Sequence, residues 1–299
     1  MRFDSYHPVI NLIYFAAAIG LTIWFNHPVF VLLSYLCAFA YSVKLKGRKA
    51  LIFNLCLLIP MAIYTWWYSY YNHFGVTVIG QNFTGNSITA EAVFYGLERA
   101  VTVGAVIIFL SCFLTIFSSD KVVYVFGRIS PKLSLFLSVI LRTVPRVKKY
   151  AGKINVAQKG VGRGSSQGNF FVRLRNSLRI LSVLITWTLE NFVESSQSMK
   201  SRGYSLKGRT AFSIYRFDNR DRAFVIGIFA LLTIVMIGWA LDQTHIYYDP
   251  QIIMMPLTLL SFVFYLAYGT LLLLPMILQI VGERKFEKLR DVCYSTEIK

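Results

Sequence analysis

The side chains with the most chemical reach in this chain are arginines followed by glycine. Arg163-Gly164 and Ser201-Arg202-Gly203-Tyr204 each set a guanidinium beside a residue with no Cβ. The guanidinium is always charged, and its planar fork of donors matches a carboxylate through two parallel hydrogen bonds. The glycine admits close backbone approach and ends a helix in the left-handed region. Taken alone, such a pair is also a common helix C-terminus, because arginine complements the helix dipole there. The other reactive types form no constellation. His7, His27, His73 and His245 fall in different loops, and the acidic residues make no paired or metal-ligating cluster. Cys37, Cys56 and Cys112 lie in apolar runs and Cys293 in a charged tail. Their spacing fits neither a metal knuckle nor a disulfide framework, so they read as apolar core residues. A Walker motif is absent, so this chain is not itself an ATPase. The residue types therefore point to a protein that is not an enzyme and carries no metal or cofactor of its own.

The elements that must hold these arginines are membrane helices. The 299 residues are 56% hydrophobic and only 15% charged, against about a quarter charged in a soluble domain. Mean hydropathy is +0.54. Aromatics reach 16%, which suits a protein with two water–lipid interfaces to line. Met1 to Pro8 lacks a basic region followed by a cleavage site, so no removable signal peptide is expected.

A membrane span needs about 20 apolar residues. Charge is absent from Ser5 to Val43, a stretch broken at Asn26-His27-Pro28. It predicts two helices, about 9–25 and 28–43, ahead of a basic loop of Lys44, Lys46, Arg48 and Lys49. A third helix, 51–71, ends in the aromatic cluster Trp66, Trp67, Tyr68, Tyr70 and Tyr71, as expected at headgroup level. Residues 72–91 read as an external loop, in which Asn82-Phe83-Thr84 is a weak match to a glycosylation sequon. A fourth helix is predicted over 92–117. Ala92, Gly96, Ala100 and Gly104 recur along it at every fourth residue, a packing stripe. Glu98 and Arg99 are expected near its outer end, paired or snorkelling. Charge-free stretches at 223–241 and 250–282 predict the fifth and sixth helices, the last kinked at Pro256 or Pro275.

The net charge of +17 sits almost wholly between the fourth and fifth helices. Residues 118–222 hold 20 lysines and arginines against five acidic residues. With the Lys44–Lys49 loop inside the cell and six alternating spans, 30 of the 31 basic residues fall in cytoplasmic segments, leaving only Arg99. The positive-inside rule then places both termini in the cytoplasm. It also explains the charge without invoking nucleic acid. Domain boundaries follow: transmembrane helices at 1–117, a cytoplasmic segment at 118–222, two further spans at 223–282 and a cytoplasmic tail at 283–299.

Two helices are predicted within the basic segment. The first, 132–161, opens after Ser130-Pro131 and carries Arg142, Arg146, Lys148 and Lys149. The second, 172–201, places Leu174, Leu178, Leu181, Ile185, Leu189, Phe192 and Met199 on one face. Glu190 and Glu194 exclude a span, so an amphipathic helix along the inner membrane surface is expected. A Gly/Ser-rich turn, 160–169, joins the two. The predicted fold is an all-α polytopic membrane protein, with about six transmembrane helices and two cytoplasmic amphipathic helices between the fourth and fifth.

Over 97–210 the chain resembles the T component of energy-coupling factor (ECF) transporters, a family that includes cobalt-transporter permease subunits. Arg142-Thr143-Val144-Pro145 is similar to the family's Arg-x-x-Pro in the first coupling helix. Ala157-Gln158 is similar to the Ala-Gln before its first arginine motif. Ser201-Arg202-Gly203-Tyr204, with Met199 two residues earlier, resembles the second Ala-Arg-Gly motif and its following aromatic. One departure stands out: the family pattern would put Arg near 161, where this chain has Val161-Gly162, and Arg163-Gly164 follows two residues later.

The resemblance implies a non-catalytic coupling subunit in the cell membrane. Its coupling helices would dock on two cytoplasmic ATP-binding-cassette ATPases through Gln158, Arg163, Gly164, Ser201, Arg202 and Gly203. Arg142 and Pro145 would shape the first helix. ATP would bind to the ATPases, not to this chain, and closure of the pair would reorient a separate substrate-binding membrane subunit, the S component, for vitamin or metal-ion uptake. The face of Leu178, Leu181, Ile185 and Leu189 is the expected contact for that subunit. The competing reading is a membrane-anchored basic scaffold for anionic lipid or an acidic partner. A scaffold would tolerate Arg202→Lys, and a bidentate docking site would not.

Overall fold

Proline and glycine punctuate the apolar sequence where its helices begin and end. Pro8 and Pro28 open α1 (Pro8–Trp24) and α2 (Pro28–Lys46), at the one helical position where a missing N–H costs nothing. His7 and His27 precede them as N-caps, Nδ1 accepting from the amides of Val9 and Val29. The structure is a computed structural model. It describes residues 3–81, 87–204, 206, 215, 217–249, 252–254, 256 and 258–297, without the side chains of 128, 129, 131, 289 and 291–297. The Asn82 sequon lies outside the described residues.

The basic stretch expected as a loop is not one. Lys44 and Lys46 end α2, Gly47 alone makes the turn, and Arg48 and Lys49 begin α3 (Arg48–Tyr71). The expected external loop holds a ribbon of β1 (Val78–Gln81) and β2 (Ser87–Thr89), antiparallel with Gly80 opposite Ile88. Then α4 runs from Ala90 to Ile116. A helix absent from the sequence reading, α5 (Ser119–Ile129), follows. The long pair α6 (Pro131–Gly160) and α7 (Phe170–Ser201) lies within two residues of expectation. The fifth span, α8 (Asn219–Ala240), starts four residues early because Asp218 and Asp221 form a reciprocal capping box. The last span departs most. Residues before it pair as β3 (Ile246–Tyr247) with β4 (Ile253–Met254), so Pro256 lies outside the helix. Helix α9 then runs Leu259–Glu297 through Pro275 and takes in the polar tail. Gln279 donates to Glu283 one turn on, a pairing of the kind that carries a helix into water.

Among the described residues, five helices are long and apolar enough to cross a membrane: α2, α3, α4, α8 and the Leu259–Lys288 part of α9. The sixth expected span, α1, is a shorter apolar helix of 17 residues, at the short end of the workable range. The chain is thus a multi-pass membrane protein of helical class.

It divides into two compact units, one of residues 1–118 with 215–299 and one of residues 119–214. In the first, α4 packs against α1, α2 and α3, and α9 against α2 and α8. Tyr14, Phe15, Phe30, Phe109, Tyr268 and Leu271 are sealed in its core. Two of its buried tyrosines are tied off: Tyr14 donates to the carbonyl of Leu272 at 2.8 Å, and Tyr268 shares a hydrogen bond with Ser34 at 2.6 Å. The small-residue stripe of α4 is a packing face. A Cβ on Gly96 would lie 3.2 Å from the Tyr68 ring, and one on Gly104 would strike Met61 at 2.6 Å. Cys37 and Cys112 are buried as expected, whereas Cys56 is exposed on α3. In the second unit α5 lies on α6, with Ser134 Oγ donating to the Val123 carbonyl, and α6 contacts α7.

Candidate functional site

The arginine clusters fall where two helices stop, and both helices stop in the same way. At the end of α7, Gly203 has φ +77°. Its amide donates to Lys200 at 3.0 Å, and the Tyr204 amide donates to Met199 at 3.2 Å. This is a Schellman cap, which satisfies carbonyls that the last turn would leave unpaired. Arg202 is the residue just before the glycine, and its side chain is exposed. Ser201 turns its hydroxyl back onto the Ser198 carbonyl at 2.9 Å, so its polarity is spent within the helix.

The end of α6 repeats the pattern one glycine earlier than the sequence suggested. Gly162, not Gly164, has the positive φ, at +75°. Its amide donates to Lys159 at 3.1 Å, and the Arg163 amide donates to Gln158 at 2.8 Å. Superposing the two caps by role sets Val161 where Arg202 stands and Arg163 where Tyr204 stands. Arg163 is exposed, directly beyond the cap. Gln158 contributes its carbonyl to the cap, accepting from both Val161 and Arg163. Gly164 is buried and serves closeness: a Cβ there would run into the Lys159 side chain and stand 3.2 Å from its Cα.

The turn between the helices is built by amides that the sequence reading did not single out. Asn155 Oδ1 accepts from the Ser165 amide and hydroxyl at 3.1 and 3.0 Å. Gln167 Oε1 accepts from the Gly164 amide at 2.9 Å. The buried Asn176 reaches back from α7 to donate to the Gly164 carbonyl at 3.2 Å. Asparagine and glutamine flanking a Gly/Ser-rich turn were the available signal, since their side chains replace missing backbone partners. Farther along, the Tyr150 and Trp187 rings lie 3.7 Å apart between centroids and tie α6 to α7.

Arg142 and Pro145 sit mid-helix in α6, both exposed, about four turns from the cap. Pro145 has no N–H, so the Leu141 carbonyl lacks its helical donor there. Leu178, Leu181, Ile185 and Leu189 are each about half exposed along α7, at 58, 49, 51 and 60%. Four apolar side chains at steps of three and four make a continuous open face, of the sort that marks an interaction surface. Helix α6 carries seven basic residues and no acidic one. Among the described residues, no three His, Cys, Asp or Glu side chains group as metal ligands.

No protein-family model matches the chain. Curated proteins do. It is 27% identical over 116 residues to the energy-coupling factor transporter transmembrane protein EcfT of Staphylococcus aureus, 38% of this chain and 42% of that one. It is 30% identical over 101 residues to EcfT of Bacillus selenitireducens, 33% and 37% of the two chains. EcfT of Lacticaseibacillus paracasei is 28% identical over 107 residues, 36% and 40%. The matches therefore span about two fifths of the relatives' length. Over that part the chain is EcfT-like.

Proposed function

We infer that this EcfT-like chain is the transmembrane coupling subunit of an ECF-type importer. Its work is mechanical. Two cassette ATPases dock on the capped ends of α6 and α7, and their ATP-driven closure moves the two helices. An S component resting on the apolar face of α7 is reoriented in turn. The chain contributes no catalytic group, and ATP is held by the partners. Both termini lie in the cytoplasm, on the side where its basic residues gather.

The observation that carries this reading is the matched pair of caps. Two long, exposed, basic helices end in the same left-handed glycine, and one sets an arginine just before it. A dimeric motor needs two such points. A helix end fixed by a Schellman cap holds its last side chain in one place, so a guanidinium there can meet a carboxylate in a groove with little further ordering. At the first point Val161 takes the position of Arg202, so the docking there rests on Arg163 and the backbone. The two points should then differ in strength, with Arg202 the stronger.

Purification of the tagged protein in mild detergent, with identification of what co-elutes, tests this. Two ATPases and a small membrane protein are expected with the wild type. Arg202→Glu should release ATPase, and Arg202→Lys should weaken it nearly as much, because a single ammonium cannot replace the fork. Full tolerance of Arg202→Lys would favour the scaffold reading. Recovery of no ATPase with the wild type would sink the coupling role.

A further inference from the structure

On the flank of the helical bundle, α2, α4 and the β3–β4 ribbon enclose a cavity of about 330 Å³, near the lower end of the range for ligand pockets. Its walls include Val31, Leu32, Phe94, Leu97, Val101 and Met254. Two residues with polar side-chain groups are among those that line it, Glu98 and Tyr248. Glu98 is only 5% exposed. Neither of its oxygens has a hydrogen-bond partner among the described residues. Its chain neighbour Arg99 makes no hydrogen bond to it; the guanidinium lies over the Tyr95 ring, 5.0 Å from the centroid, and reaches Glu98 only through electrostatic attraction.

A buried carboxyl group that no hydrogen bond within 3.5 Å reaches is costly, and in a membrane helix such a group is an indication of function. The small-residue stripe of α4 faces α3, so helix packing does not explain why Glu98 is there. Glu98 lies eight residues past the start of α4, about 12 Å along the axis. That is a shallow depth, within reach of a lipid headgroup. The mouth of the cavity is apolar: Leu32 is 60% exposed and Phe94 55%. In a membrane protein such a mouth opens on acyl chains. Burial and the nearby Glu98 carboxylate push the Tyr248 phenol well above its ordinary value, so it keeps its proton as a donor.

The geometry points to a binding site for an aminophospholipid, with the primary ammonium on Glu98 and an acyl chain along the apolar wall. Charge selects the headgroup. An ammonium brings three N–H donors to a carboxylate that has none. A quaternary choline brings none and is bulkier. The Tyr248 hydroxyl is a donor beside the same carboxylate, and it can share that oxygen or turn to a phosphate ester. The apolar wall explains why a free amine in water is the poorer occupant.

Native mass spectrometry of the full chain tests the site. The protein is reconstituted with equal amounts of phosphatidylethanolamine and phosphatidylcholine of the same acyl chains, then stripped with detergent. Wild type should retain the ethanolamine lipid in about tenfold excess, the effect of one charge-assisted hydrogen bond. Glu98→Gln keeps the shape and removes the charge, and it should bring the two lipids close to parity. Leu32→Trp blocks the mouth from an exposed position and should lower retention of the ethanolamine lipid with Glu98 untouched. Equal retention of both lipids by the wild type would overturn the proposal, as would an unchanged excess in Glu98→Gln. ATPase co-purification is read in the same samples, so this site can fail while the coupling role stands.

Discussion

At the scale of single residues, the two cap glycines separate position from composition. A left-handed φ costs an L-residue about 1–2 kcal/mol. Gly162→Ala and Gly203→Ala should therefore fray the last turns of α6 and α7. Hydrogen exchange at the amides of 158–163 and 199–204 would show it, with ATPase co-purification falling alongside. Gly160→Ala is the control: it is helical, with open space at the Cβ position, and should stabilise α6 by about 0.5–1 kcal/mol. His27 carries a different prediction. It caps α2, packs against Phe30 and Tyr265, and burial lowers its pKa from 6.5. The unfolded chain takes up its proton first as pH falls. The cap's contribution is thus full above 6.5 and declines as pH drops from there toward the lowered folded value. His27→Gln should flatten that part of a thermal-stability profile against pH, and an unchanged slope would remove His27 as its source.

At the scale of elements, the α6–α7 hairpin stands on its turn and one ring pair. Asn176→Ala leaves the buried Gly164 carbonyl without its donor and should cost about 1–3 kcal/mol. Loss of exchange protection through 158–176, with the transmembrane helices unchanged, is the expected signature. The open face of α7 is the test of the S-component contact. Polar replacement of Leu181 and Ile185 should release the small membrane partner while the ATPases stay bound. Release of neither would place that contact elsewhere. A capped end is not in itself a docking site. Helix α8 closes with the same bonding around Asp242, at φ +59°, where the Gln243 amide donates to Gly238. What distinguishes α6 and α7 is that their caps end long, exposed helices in a strongly basic unit.

At the scale of the whole molecule, charge is segregated with little exception. A basic layer draws acidic partners over distances comparable to the Debye length, about 10 Å at 0.1 M salt and about 3 Å at 1 M. Raising the salt during purification should therefore strip ATPase from the wild type. It should act less on the S component, whose proposed contact is apolar. Retention of both at high salt would argue that the docking is carried by packing and not by charge.

Periodicity and charge made most of this legible beforehand. Long charge-free runs forced membrane helices, because a backbone in lipid must satisfy its own hydrogen bonds. Steps of three and four gave α7 its apolar face, and Ser130-Pro131 gave α6 its start. Three things waited on tertiary structure. Gly47 turned an apparent loop into two helix ends, since one left-handed residue suffices. The cap of α6 fell on Gly162, because backbone hydrogen bonding chooses among Gly160, Gly162 and Gly164, and a motif cannot. Glu98 read as an interfacial residue that would pair or snorkel. Only the packing of α2, α4 and the β3–β4 ribbon around it, from segments as far apart as residues 28 and 254, made it the buried carboxyl group of an apolar cavity. Local sequence determines which residues can be helical or cap a helix. Which polar group ends up enclosed depends on distant segments that meet only in the folded chain.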